Sequence, residues 1–195
     1  MRSASFDRSE VVGKITNTFW ENGYEATSIQ TLEAATGLKR QSLYNAFGNK
    51  DAMFELALDH YDSAVSQRLL ATLDQDDPRT ALHDFFNAQA AILLDADRPS
   101  GCLVAGGQQE LANRQVELGD LMSGLIEQQH DGLVAAFKRW RDAGRLSVDA
   151  DPDTLAAIVM TQVRGQAVLG RSDRGVELVR RASHEVPKLF ERYFV

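Results

Sequence analysis

Lys39, Arg40, Gln41, Ser42 and Tyr44 place five polar or cationic side chains within six residues, shortly after a glycine at position 37. Such groups suit the edges of DNA bases: arginine pairs bidentately with guanine, and glutamine with adenine. Leu38, Leu43 and Phe47 can pack the same segment inward as a helix, which leaves the polar set facing outward. Just upstream, Ile29, Leu32 and Ala35 recur on one face of a short apolar run, and Thr27 or Ser28 can cap it through a hydroxyl. Gly37 follows that run where the chain must turn, a position that often demands positive φ. A short helix, a glycine turn and a polar second helix make a helix-turn-helix, the layout in which the second helix enters the major groove.

The elements around this segment carry further signals. Gly23-Tyr24, Thr27-Ser28-Ile29, Ala34-Ala35-Thr36-Gly37-Leu38, Ser42-Leu43-Tyr44, Phe47 and Lys50-Asp51 follow one another at fixed spacing. In that combination roughly the first 55 residues resemble the N-terminal domain of TetR-family transcriptional regulators, and many spaced matches must coincide to produce it. Ala46 departs from the pattern, since many members carry a histidine or aromatic residue before the phenylalanine. The resemblance implies an all-α fold: a three-helix helix-turn-helix domain, here residues 1–50, and a larger helical ligand-binding and dimerisation domain, residues 51–195. It also implies a phosphate contact for Tyr44. Lys50 sits at a helix start, where the macrodipole disfavours a cation unless an anion such as a DNA phosphate is near. A cap hydroxyl and the free amides beside it can meet a phosphate too. The expected DNA-binding set is therefore Thr27, Ser28, Lys39, Arg40, Gln41, Ser42, Tyr44 and Lys50.

Charge distribution agrees with a DNA partner despite a net charge of −7. Residues 1–50 hold six Lys/Arg against five Asp/Glu, a balance of +1, and residues 51–195 hold 15 against 23, a balance of −8. The acidic excess lies outside the reading head, where it limits indiscriminate polyanion binding. A single cysteine excludes an internal disulfide and fits a reducing cytoplasm. The stretch Met1 to Glu10 is polar and no apolar run reaches the ~20 residues that cross a bilayer, so neither a leader nor a membrane span is expected.

Apolar spacing is helical throughout, and nine helices are expected, three of them in the head. Lys50 opens a long helix with Met53, Phe54, Ala57, Leu58, Tyr61, Val65 and Leu69 on its stripe, broken by Asp74 to Pro78. Helices from near Arg79 to Asp95, from Cys102 to Asn113 and from Leu118 to Trp140 follow. Two more are expected over 153–170 and 173–194, the last kinked or broken at Pro187. Leu155, Ile158, Val159, Val163 and Val168 on one of these, with Val176, Val179, Leu189, Phe190 and Phe194 on the other, make wide apolar faces suited to a two-fold four-helix dimer bundle.

Phe86, Gln89, Cys102, Met122, Leu125, Gln129, Met160 and Arg164 combine apolar walls with a few polar groups and are the expected lining of a small-molecule cavity. Arg164 interrupts an apolar helix and needs a carboxylate or ligand partner if buried. Cys102 has two readings. As a lone cysteine it is a small buried filler, the preferred reading. The Gly101-Cys102-Leu103 string also resembles a subgroup of the family in which some members sense electrophiles or oxidants. His60, His83, His130 and His184 show no metal-ligand spacing, and no phosphate loop or nucleophile elbow is present, so neither a metal nor a cofactor nor an enzyme is expected. The reading is a ligand-responsive regulator, in the sense of a repressor, that binds a palindromic double-stranded operator as a homodimer. Its alternatives are a thiol sensor acting through Cys102 and a helical small-molecule-binding module without specific DNA binding.

Overall fold

The computed structural model of the protein describes residues 6–111 and 116–195. Helix α1 (Arg8–Asn22) is capped by Asp7, whose carboxylate accepts from the backbone N–H of Ser9 and Glu10 at 2.8 and 3.3 Å. Its buried face carries Val11, Ile15, Phe19 and Trp20. Helix α2 (Ile29–Thr36) starts at Ser28, whose Oγ accepts from Thr31 N at 3.1 Å, and ends at Gly37 with φ +74°. Ser28 is thus the cap. Thr27 is fully buried and its hydroxyl donates to Gly23 O at 2.6 Å.

Helix α3 (Arg40–Phe47) follows the turn with Leu43 and Phe47 buried, as the spacing predicts. Lys39 at its N-cap offers no acceptor; Glu33 from α2 takes that role, accepting from Arg40 N at 2.9 Å. A carboxylate there also meets the positive end of the α3 dipole.

Helix α4 (Lys50–Tyr61) runs through a π-helical turn (Asp62–Ser66) into α5 (Gln67–Ala71), so the three make one rod. The remaining helices are α6 (Pro78–Leu93), α7 (Leu103–Leu111), α8 (Val116–Asp142), α9 (Pro152–Leu169) and α10 (Asp173–Leu189). With the rod counted once, the described residues hold nine helices and no strand, and the expected end of α7 at Asn113 lies outside those residues. The last helix is shorter than the 173–194 expected. Pro187 lies inside α10, where it leaves the Ser183 carbonyl without its helical donor, and the helix continues to Leu189 before giving way to a 3₁₀ turn over Glu191–Tyr193. The tail then pairs with the loop after α8 through an isolated Leu146–Phe194 bridge.

Two large apolar cores and a small third one (Leu93, Ala167 and Val179) organise the chain. The first joins Phe19, Leu32, Leu43, Phe54 and Leu58 to Leu103, Leu111, Met122 and Leu125, so it runs without interruption across residue 50. The second gathers Phe86, Phe137, Trp140, Leu155, Val159, Phe190 and Phe194. Several residues expected on the dimer face (Leu155, Val159, Val179, Phe190 and Phe194) are therefore buried within the protomer. The large apolar side chains that stay exposed on α9 and α10 are Ile158, Val168, Leu169, Leu178 and Leu189. No helix of the described residues is long and apolar enough to cross a membrane.

Candidate functional site

On the head, Lys39, Arg40 and Gln41 are exposed along α3, and Ser42 and Tyr44 are half-buried beside them. Arg40 lies over the Tyr44 ring, 5.3 Å from its centroid, with Nη2 3.4 Å from the tyrosine hydroxyl. That stack holds the guanidinium near one edge of the helix and orders it ahead of any contact. Gln41 Nε2 donates to Asn45 Oδ1 at 3.1 Å, an i,i+4 bond on the exposed face. Lys50 is stationed over the Tyr24 ring at 4.3 Å and donates to Glu25 O at 3.5 Å, so its place at a helix start already has internal compensation. Arg8, outside the expected set, donates to Ala46 O at 2.7 Å and covers Phe47. Thr27, buried with its hydroxyl engaged, is removed from the outward set: its position one residue before the cap turns it into the head.

In the larger part of the chain a cavity of about 60 Å³ lies between the α4–α5 rod, α6, α8 and α9. Of the residues named for a small-molecule cavity, Gln89, Cys102, Gln129, Met160 and Arg164 line it. Phe86, Met122 and Leu125 do not. Phe86 points into the second core, while its neighbour Phe85 lines the cavity; one residue is a 100° rotation on a helix. Met122 and Leu125 belong to the first core, where Met122 sulfur closes over Gly107 at a distance that leaves no room for a side chain there. Tyr61, Val65 and Leu69 line it from the periodic stripe of the rod, and Ser66, off that stripe, joins them where the π turn shifts the helical phase.

Four polar groups of this cavity form one chain. Arg164 Nη1 donates to Cys102 Sγ at 3.3 Å and Nη2 to Gln129 Oε1 at 2.5 Å, and Gln129 Nε2 donates to Ser66 Oγ at 2.9 Å. Burial pushes the Tyr61 hydroxyl well above 10, and its contact with Cys102 adds to this while Arg164 opposes it, so Tyr61 stays neutral. Gln89 Nε2 donates to Val163 O at 3.0 Å. Because that carbonyl can only accept, the amide orientation is fixed, and Gln89 Oε1 is left buried without a partner. Among the described residues no three His, Cys, Asp or Glu are grouped so as to hold a metal ion.

Cavity and head are tied together at three points. Trp20 Nε1 donates to Gly101 O at 3.2 Å, and Arg171 Nη2 donates to Trp20 O at 3.4 Å. Glu110, at the far end of α7 from Cys102, accepts from Glu25 N at 2.9 Å.

The chain is similar to known proteins. The family model described as "Bacterial regulatory proteins, tetR family" matches residues 15–57, from mid-α1 into α4. The HTH-type transcriptional regulator YezE of Bacillus subtilis is 31% identical over 160 residues, covering 80% of this chain and 81% of that one. The HTH-type transcriptional repressor ComR of Escherichia coli is 28% identical over 178 residues, with 90% and 85% covered. A solved structure of the TetR-family regulator CifR, a cysteine mutant bound to 26-base-pair operator DNA, superimposes with a TM-score of 0.84 at 26% identity, covering 94% of this chain and 98% of that one. The likeness spans most of the chain; this is a dimeric, ligand-responsive DNA-binding regulator and not an enzyme, and it belongs to the TetR family of bacterial transcriptional regulators.

Proposed function

We propose that the protein is a cytoplasmic repressor whose two heads read a palindromic operator through α3 and let go when a small effector occupies the cavity of the larger domain. Arg40 and Gln41 read bases, while Ser28, Lys39, Ser42, Tyr44 and Lys50 hold phosphates. The observation that carries the effector step is the placement of α7: Cys102, just before it, lines the cavity, and Glu110, near its other end, is bonded to the turn between α1 and α2. An effector that fits better when α7 is displaced favours a head orientation that no longer matches the half-site spacing, by differential affinity for two states. The relative ComR, named a repressor, supports the sign of the control. Selection of genomic fragments by the purified protein tests the reading: a palindromic sequence bound with steep salt dependence is expected. Equal binding to unrelated DNA at every salt concentration overturns it.

A further inference from the structure

We propose that Glu33, which lies outside the residues assigned to DNA contact, is the positioning residue that sets how sharply the reading helix discriminates bases. This rests on the base-reading role given above to Arg40 and Gln41 and names what holds them. Helix α3 has eight residues, fewer than the roughly 12–15 at which a helix holds by itself in water. Its packed side chains are Leu43, Tyr44, Ala46 and Phe47, all in its second half. Arg8 adds to the hold on that half, donating to Ala46 O at 2.7 Å and covering the Phe47 ring.

The first turn, Arg40 to Ser42, carries the base-reading pair and packs no apolar side chain. Among the described residues, what ties it to another helix is Glu33 Oε1, which accepts from Arg40 N at 2.9 Å. Helices α1, α2 and α4 are capped locally, by Asp7, Ser28 and Asn49. Helix α3 is preceded by Lys39, whose ammonium only donates. Its cap therefore comes from α2, which leaves position 39 to an exposed cation. Without that bond the first turn frays, and Arg40 and Gln41 sample several poses. Binding the operator must then order them, at a cost in entropy. Binding through phosphates alone carries no sequence information and accepts many poses. Loss of Glu33 therefore falls on specific affinity.

Equilibrium binding of the full chain tests this, on the operator fragment selected by the unaltered protein, on single-base variants of it and on unrelated duplex of equal length. Glu33→Ala is expected to lower the ratio of operator to unrelated affinity by roughly 2- to 30-fold, the worth of a lost cap. The loss should concentrate at the base positions where Arg40→Ala or Gln41→Ala also loses discrimination. Glu33→Gln still offers an oxygen to Arg40 N and should keep most of the ratio. A poorly folded fraction lowers both affinities together and leaves their ratio unchanged, so the ratio separates positioning from stability. In the DNA-free protein, amide exchange at residues 40–43 should accelerate in Glu33→Ala and not in Glu33→Gln. An unchanged ratio in Glu33→Ala overturns the proposal. So does a Glu33→Gln ratio as low as that of Glu33→Ala, which would make the charge and not the bond responsible. If Arg40→Ala and Gln41→Ala keep full discrimination, the base-reading assignment fails instead, and the ratio in Glu33→Ala still shows whether Glu33 positions α3.

Discussion

Glu110 on α7 accepts a hydrogen bond from the backbone N–H of Glu25, 85 residues earlier in the turn between α1 and α2. Gly23 in that turn has φ +81°, and a side chain there would collide with the Glu110 carboxylate. A bare backbone at 23 is therefore what lets α7 grip the head. Glu110→Ala should cost about 0.5–1.5 kcal/mol, the range for one hydrogen bond. Amide exchange in the 23–28 segment should accelerate. Unchanged exchange there would show that α7 does not hold the turn.

Dimer assembly should depend on the apolar residues that remain exposed and not on those buried in the protomer. Leu178→Glu and Val168→Glu place charges on side chains that are each 50% exposed, so the protomer itself should stay folded. Sedimentation should show the parent at twice 21.6 kDa and the double variant at 21.6 kDa. A double variant that stays dimeric would move the interface away from α9 and α10.

The reading helix should separate base from phosphate contacts. Gln41→Ala should lose about 1–3 kcal/mol of discrimination at one base position. Tyr44→Phe should weaken binding to all sequences alike, and also free Arg40, whose Nη2 is 3.4 Å from the tyrosine hydroxyl. Binding titrations on operators with single base changes distinguish the two patterns; the same loss at every position for Gln41→Ala would refute its role in base reading.

Acid should loosen α6 through its cap. Asp77 lies below the ordinary 3.8 chiefly because the Thr80 hydroxyl donates to its carboxylate, with backbone N–H of Thr80 and Arg79 adding to this. A depressed folded-state value means the contribution is present above 3.8 and disappears as pH falls below it. Asp77→Ala should cost about 0.5–2 kcal/mol at neutral pH, the usual worth of a cap. The difference between variant and parent should shrink in denaturant melts below that pH. A difference that persists unchanged in acid would mean the carboxylate charge does not matter.

Cys102→Ser should leave operator binding as it is. The sulfur receives Arg164 Nη1 at 3.3 Å, and a serine hydroxyl can accept the same bond, so only a modest stability change follows. Operator release by a small electrophile in the parent, lost in the serine variant, would instead make the thiol the sensor.

The helix-turn-helix was legible because its information is local. Gly37, the Ser28 cap, and the inward set Leu43 and Phe47 lie within one contiguous stretch, where 3.6-residue spacing dictates which side faces out. Even there, Thr27 and Ser28 differ only in which way the backbone turns them, and the fold alone buries one and makes the other the cap. The cavity was legible only in outline. Its bonds join positions 62 residues apart for Arg164 and Cys102, and 63 apart for Gln129 and Ser66, so no spacing rule relates them. Phe85 and Phe86 are both apolar and both buried; what sends one to the cavity and the other to the core is the rotation of α6 against its neighbours. The π turn makes a similar change in the α4–α5 rod, bringing Tyr61 and Ser66 to one wall. Composition and periodicity determine which residues are removed from water, because burial is rewarded wherever it occurs. Only close packing of whole helices decides which of them meet.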